Sequence, residues 1–204
     1  MTKIKICGIT NLADAVAITK LDVDYLGFII NFPLSLRNME PDQVSKIIQT
    51  VKQQNEIIKF VGVFVNESVD QVVKIVKECN LDVVQLHGDE SKDYCTRLRL
   101  SDVEVWKGII ISDKRDIKNA KKYYNKVDHV LFDSGRGSGH LLDFSLFKDV
   151  KVDILSGGLD PDNVKEAIER LTPEIIDLNS QLESSPGKKD INLVKKAVSI
   201  IKNL

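Results

Sequence analysis

A thiol, a few carboxylates, one loop arginine and a glycine pair carry the chemistry this chain could perform. Cys7 ends the run Lys3–Cys7 and stands directly before Gly8. A cysteine so placed can fill core, act in redox chemistry or, as a thiolate, take a proton. Asp133 closes the apolar run His129–Phe132 and opens the glycine-rich stretch Asp133–Gly139. A carboxyl half enclosed there can have its pKa raised and serve as a general acid, or it can cap the loop as a turn aspartate. Gly157-Gly158 allows close approach of backbone N–H groups to an anion, or simply makes a turn. Arg37 is the one basic residue in Pro33–Arg37. Asp177 and Ser180 lie in the stretch Asp177–Gly187, and together with Arg37, His87, Gly157 and Gly158 they form the substrate-binding candidates. His87 also reads as a histidine hydrogen-bonded at a strand end, because its neighbours do not form a metal-ligand set. His129 and His140 are weaker candidates. Cys79 and Cys95 read as small buried apolar groups on helices.

These residues recur at one kind of place. Short apolar runs read as strands at Lys3–Cys7, Tyr25–Ile30, Lys59–Val65, Val83–Leu86, Val105–Ile110, His129–Phe132, Val152–Leu155 and Ile175–Leu178. Amphipathic stretches at Leu12–Lys20, Pro41–Gln53, Val69–Cys79, Lys92–Arg99, Arg115–Tyr124, Asp162–Leu171 and Ile191–Lys202 read as helices, with a shorter segment at Phe144–Phe147. Ser68, Glu40-Pro41 and Asp160-Pro161 supply helix starts. Strands such as Lys59–Val65 are almost continuously apolar, as in a parallel sheet buried on both faces. Eight such beats without a linker predict an α/β fold, a single (β/α)₈ barrel spanning 1–204. A doubly wound sheet is the competitor, but it commonly has fewer strands and a glycine fingerprint after the first. In a barrel, chemistry sits at the C-terminal strand ends, and Cys7, Arg37, His87, Asp133, Gly157, Gly158, Asp177 and Ser180 fall there or in the loops beyond. Loops seven and eight are the expected phosphate cradle.

The 204 residues suffice for one sizeable core. Net charge is −1 with no basic stripe, which argues against nucleic acid as a partner. The apolar runs are too short to span a bilayer, and the start lacks a signal-peptide core. Three widely spaced cysteines argue against a disulfide framework or zinc site and point to a reducing cytoplasm. No large apolar interface is marked, so a monomer is expected, with a homodimer as the alternative.

Five ordered motifs resemble the phosphoribosylanthranilate isomerase family of tryptophan biosynthesis. They are Lys5-Ile6-Cys7-Gly8-Ile9-Thr10, Gly62-Val63-Phe64-Val65-Asn66, Val84-Gln85-Leu86-His87-Gly88, Leu155-Ser156-Gly157-Gly158-Leu159 and the run Glu183–Asp190. The resemblance implies a (β/α)₈ barrel that needs no cofactor or metal and acts on a small phosphorylated substrate. It converts N-(5-phosphoribosyl)anthranilate to 1-(2-carboxyphenylamino)-1-deoxyribulose 5-phosphate by an Amadori rearrangement. It further implies Cys7 as general base, Asp133 as general acid and Arg37 as partner of the anthranilate carboxylate. Gly157, Gly158 and Ser180 fall in its phosphate loops. The chain departs from the family pattern at Gln181, where glycine is usual, at Leu34-Ser35-Leu36 before Arg37, and at Leu142-Asp143-Phe144. A free thiol titrates near pH 8.5, so a thiolate base requires an electropositive neighbour, whose identity the sequence leaves open. Two rival readings are a related phosphoribosyl-sugar isomerase and a non-catalytic barrel that binds a phosphorylated metabolite. Cys7 in place of an aspartate and the lack of a half-chain repeat count against the first. Against the second stands the pairing of a thiol and a carboxylate at separate strand ends.

Overall fold

Eight parallel strands form the barrel wall: β1 (Lys3–Ile6), β2 (Tyr25–Ile30), β3 (Lys59–Phe64), β4 (Val83–Leu86), β5 (Glu104–Ile110), β6 (His129–Asp133), β7 (Ile154–Ser156) and β8 (Ile175–Leu178), and the two-residue strand Asn38–Met39 adds to the sheet beside the end of β2. Each pairs with the next, and β1 pairs with both β2 and β8, which closes the sheet into a (β/α)₈ barrel. The computed structural model describes residues 1–55, 57–99, 103–135, 143–148 and 150–204. Every strand expected from the sequence is present, its bounds moved by at most one or two residues.

Side-chain alternation along the strands does the positioning. The outward set, such as Ile4, Ile6, Phe60, Val84, Val130 and Ile176, packs under the helices as one large core. The inward set begins with an apolar plug of Tyr25, Val61, Val83, Trp106, Leu131, Ile154 and Ile175. Trp106 is fully buried and meets Tyr25 edge-on at 5.1 Å. Because side chains alternate with period two, the next inward residue on each strand lies two positions further on. Those residues are Gly27, Val63, Gln85, Gly108, Asp133, Ser156 and Asp177. On β1 the same face carries Lys5, which lies in register with Asp177, and then Cys7. A chemical layer therefore rests on an apolar floor.

The helices are α1 (Leu12–Ile18), α2 (Pro41–Lys52), α3 (Val69–Cys79), α4 (Lys92–Arg99), α5 (Lys114–Ala120), α6 (Val164–Leu171) and α7 (Ile191–Lys202). Ser68 caps α3 by accepting from the Gln71 N–H, a contact worth about 1 kcal/mol. Pro41 is the first residue of α2, and Gln43 accepts from the Glu40 N–H at 3.2 Å. One expected start moves. Asp160-Pro161 does not open α6, whose first residue is Val164. The Asp160 carboxylate instead accepts from the N–H groups of Asp162 and Asn163, closing a turn ahead of the helix. The segment Phe144–Phe147 is a 3₁₀ turn, and Phe147 meets Phe132 edge-on at 5.3 Å. Among the described residues no helix is long and apolar enough to cross a membrane. All three cysteines are free and buried.

Candidate active site

Cys7 follows the last residue of β1, where its N–H donates to the Leu178 carbonyl at 2.8 Å, and its side chain is buried. Lys5, two residues earlier on the same inward face, is fully buried and pairs with Asp177 Oδ2 at 2.7 Å. Both side chains crowd over Gly27. A Cβ there would lie 2.8 Å from Cys7 Sγ and 3.0 Å from Lys5 Cε, so β2 must carry glycine at this point. Burial pushes the Cys7 thiol up, while the Lys5 ammonium beside it, acting as charge and as hydrogen-bond partner, pulls it down. Asp177 reinforces the rise and Lys189 opposes it, and the net direction is upward. Burial works against the Lys5 charge, but Asp177 and Cys7 outweigh it and keep the group an ammonium. The electropositive neighbour of the thiol is thus Lys5.

Asp133 ends β6 and is also buried. The expectation of a raised pKa is not met. Burial pushes the carboxyl up, but the hydrogen bond and charge of His87, the Gly135 amide and Lys5 together hold it below the ordinary carboxylate range. His87 Nε2 lies 3.1 Å from Asp133 Oδ2, and the Gly135 N–H donates to Oδ1 at 3.0 Å. His87 thus reaches the site through Asp133, and its ring fits over Gly108, where a Cβ would stand 2.7 Å from Nδ1. Behind it, a buried pair of Lys107 and Glu90 at 3.0 Å ties down the turn after β4, with Glu90 also accepting from the Asn66 and Gly88 N–H groups. The rest of the glycine-rich loop, Arg136–Gly139, and His140 lie outside the described residues.

A cavity of about 40 Å³ opens beside these groups, lined in part by Asp133, Gly157, Gly158, Asp177, Ser180 and Gln181. Gly157 has φ +95°, and a Cβ on it would stand 2.1 Å from Ser134 Oγ, so this position admits glycine alone. Gly158 also lies in the left-handed region at φ +64°. Ser180–Leu182 forms a 3₁₀ turn after β8, and the backbone there leaves Gln181 outside the positive-φ region. The glycine that the family usually has here is therefore not required by the backbone. Asp177 Oδ1 is buried and finds no hydrogen-bond partner among the described residues.

Arg37 crosses over Gly8, which has φ +73° and whose absent Cβ would lie 2.7 Å from Arg37 Cδ. Its guanidinium forks onto Glu183, with Nε–Oε1 at 2.9 Å and an Nη2–Oε2 contact of 2.6 Å. Lys189 pairs with the same carboxylate at 2.8 Å and donates to Asn179. Glu183 and Lys189 come from the hairpin of Glu183–Ser185 and Lys188–Lys189, tied down where Thr10 donates to the Gly187 carbonyl. The structure thus gathers Cys7, Arg37, His87, Asp133, Gly157, Gly158, Asp177 and Ser180 at one barrel end. Lys5, Gln85, Glu183, Lys189 and the glycines at 27 and 108 adjoin these groups, and sequence reasoning gave them no role. Counting two residues up from the apolar plug would have found Gln85, Gly27 and Gly108; the Arg37 partners would not have been found this way.

The fold and site define a (β/α)₈ barrel with a buried thiol and a buried carboxyl beside a glycine-lined cavity at the C-terminal strand ends, where enzymes of this barrel class place their chemistry. Comparison narrows this. Residues 4–200 match the family model of N-(5'phosphoribosyl)anthranilate (PRA) isomerase, and the chain belongs to that family. It is 40% identical to the N-(5'-phosphoribosyl)anthranilate isomerase of Thermotoga neapolitana over an alignment of 212 residues that covers both chains completely. A crystal structure of phosphoribosyl anthranilate isomerase from Thermotoga maritima superimposes with TM-score 0.90 at 34% identity, covering all of both chains. Another, in complex with reduced 1-(o-carboxyphenylamino)-1-deoxyribulose 5-phosphate, gives TM-score 0.89 at 32% identity over the full length of both.

Proposed function

We propose that this chain is an aldose–ketose isomerase that rearranges N-(5'-phosphoribosyl)anthranilate to 1-(2-carboxyphenylamino)-1-deoxyribulose 5-phosphate, with Asp133 as acid and Cys7 as base. The observation that carries the assignment of roles is the single inward layer that holds both groups, buried, beside the glycine-lined cavity. Asp133 protonates the ribose ring oxygen as the ring C–O bond breaks and the nitrogen lone pair forms an iminium. The adjacent carbon becomes acidic, and the Cys7 thiolate removes its proton. The enolamine then relaxes to the ketone. These are proton transfers throughout, and no step needs a cofactor.

The phosphate rests on the amides of Gly157 and Gly158 and on the Ser180 hydroxyl. Two carboxylates line the same cavity, but Lys5 compensates Asp177, and His87 stands against Asp133. Asp177 Oδ1, the unpartnered buried acceptor, takes a hydrogen bond from a sugar hydroxyl. At the other end Arg37 meets the anthranilate carboxylate. Glu183 holds the guanidinium from behind through Nε and Nη2, and the remaining N–H groups are offered to the substrate. All these groups come from one chain, so the reading asks for no second copy, and a monomer in a reducing cytoplasm suits it.

The direct test follows the fluorescence of the anthranilate moiety as substrate is consumed. A chain that binds a product analogue yet never consumes substrate would be a binding barrel and would defeat the proposal. For the aromatic end, Arg37→Met is expected to weaken a carboxylate-bearing product analogue by about 1.5–3 kcal/mol, the range for hydrogen bonds to charged groups. An analogue without the carboxylate should lose little. Equal loss for both would show that Arg37 acts elsewhere.

A further inference from the structure

One buried acceptor near the site is left without a partner and has no part in the steps above. Gln85 Nε2 stands 3.0 Å from His87 Nδ1, and Gln85 Oε1, also buried, finds no hydrogen-bond partner among the described residues. An amide nitrogen only donates, so in this arrangement Nδ1 accepts and the ring proton sits on Nε2. That proton points at Asp133 Oδ2, 3.1 Å away. Turning the Gln85 amide by half a revolution would bring Oε1 to Nδ1. That contact is favourable only when Nδ1 carries a proton, and while Nε2 also keeps its proton toward Asp133 the ring is then an imidazolium facing the carboxylate. Gln85 can therefore serve both protonation states of the ring, which Gly108 gives room to lie flat. The other charges around the pair are Lys5 and Asp177, which offset one another at 2.7 Å, and behind the ring Lys107 and Glu90, paired at 3.0 Å.

We propose that His87, with Gln85 as its two-way partner, holds the proton that Asp133 delivers to the substrate. The proposal rests on the functional reading above and deepens it. From the doubly protonated ring, His87 Nε2 gives its proton to Asp133 Oδ2 while Nδ1 keeps the other, and the carboxyl gives a proton to the ribose ring oxygen as the C–O electron pair moves onto that oxygen. The pair is left as a carboxylate and an imidazole protonated on Nδ1, one proton poorer, and solvent returns the proton to Nε2 before the next turnover. Asp133 is the catalytic group; His87 and Gln85 are positioning residues.

The test is ¹⁵N NMR of His87 in the unliganded protein, together with the pH profile of kcat/KM, for the parent, Gln85→Glu and Gln85→Met. In the parent the neutral ring is expected to carry its proton on Nε2. A carboxylate at position 85, which accepts from Nδ1 and adds an opposite charge, should raise the pH at which His87 loses its second proton by about one unit or more, and methionine should leave Nδ1 without a side-chain partner in either state. The limb of the rate profile that the pair controls should move with it in each variant. A role in packing alone would lower the rate without moving either limb. A neutral ring protonated on Nδ1, an unmoved His87 titration, or a moved titration with both limbs fixed would each overturn the proposal. If Gln85→Met fails to fold, the near-isosteric Gln85→Glu decides. Absence of turnover in the parent would instead defeat the functional reading, while the NMR result still decides where the proton sits.

Discussion

Replacing Cys7 with serine is expected to lower kcat by about 10²–10⁴-fold while product-analogue affinity stays close to that of the parent. Serine nearly matches the thiol in size and leaves the Lys5–Asp177 pair and the glycine at 27 untouched, so the site keeps its shape. What it lacks is an anion within reach of neutral pH. Even the thiol is pushed up by burial, and only Lys5 and Lys189 pull it toward the thiolate. The sign of the pH dependence follows: with a raised thiol, the base form grows as pH rises, and the parental rate should climb with it. The serine variant should show no such climb. Steady-state kinetics across pH, with titration of a reduced product analogue, separates the outcomes. Near-parental turnover in Cys7→Ser would remove Cys7 from the chemistry, and a parallel loss of affinity would make it a packing residue.

How much of this was legible from the chain depends on the range of the interaction. The strands Tyr25–Ile30, Val83–Leu86 and Ile175–Leu178, and the helices Val69–Cys79, Lys92–Arg99 and Ile191–Lys202, have the bounds that their apolar patterns predict. Alternation and amphipathicity act over a few residues, and burial on both faces leaves a plain signature. The start of α6 was misread because Asp160 caps its own turn, a choice between two local hydrogen-bond patterns that Asp-Pro allows equally. The site residues were legible as positions, since strand ends of a barrel are few. Their electrostatics were not. Asp133 is lowered by a histidine 46 positions away, and Arg37 is held by a glutamate 146 positions away. Neither pairing leaves a mark in local sequence. Lys5 was within reach of inference, because period two sets it on the face of Cys7 and the strand register sets it opposite Asp177, but only a closed barrel supplies that register.

Asp133→Asn is expected to lower kcat by about 10²–10⁴-fold, since an amide has no proton to give the ring oxygen. The variant also changes the groups behind it. Asp133 accepts from His87 through one oxygen and from the Gly135 N–H through the other. Asparagine has one acceptor, so its N–H₂ meets a donor on one side, the Gly135 N–H or the His87 N–H. On the His87 side the conflict is relieved if the ring shifts its proton to Nδ1 and the Gln85 amide turns Oε1 toward it, and ¹⁵N shifts of His87 would report it. Stability should change in a pH-dependent way. The Asp133 carboxyl is lowered in the folded chain, so its contribution is fully present above the ordinary aspartate titration near pH 3.9 and is lost as pH falls through the lower folded value. The parent should therefore lose stability on acidification through that window by more than Asp133→Asn does, which chemical unfolding at several pH values measures. If the variant turns over at the parental rate, Asp133 is not the acid. If it is inactive and loses product-analogue affinity to the same degree, the residue shapes the cavity instead. Loss of turnover with binding retained is the result that leaves Asp133 as the proton donor to the ring oxygen.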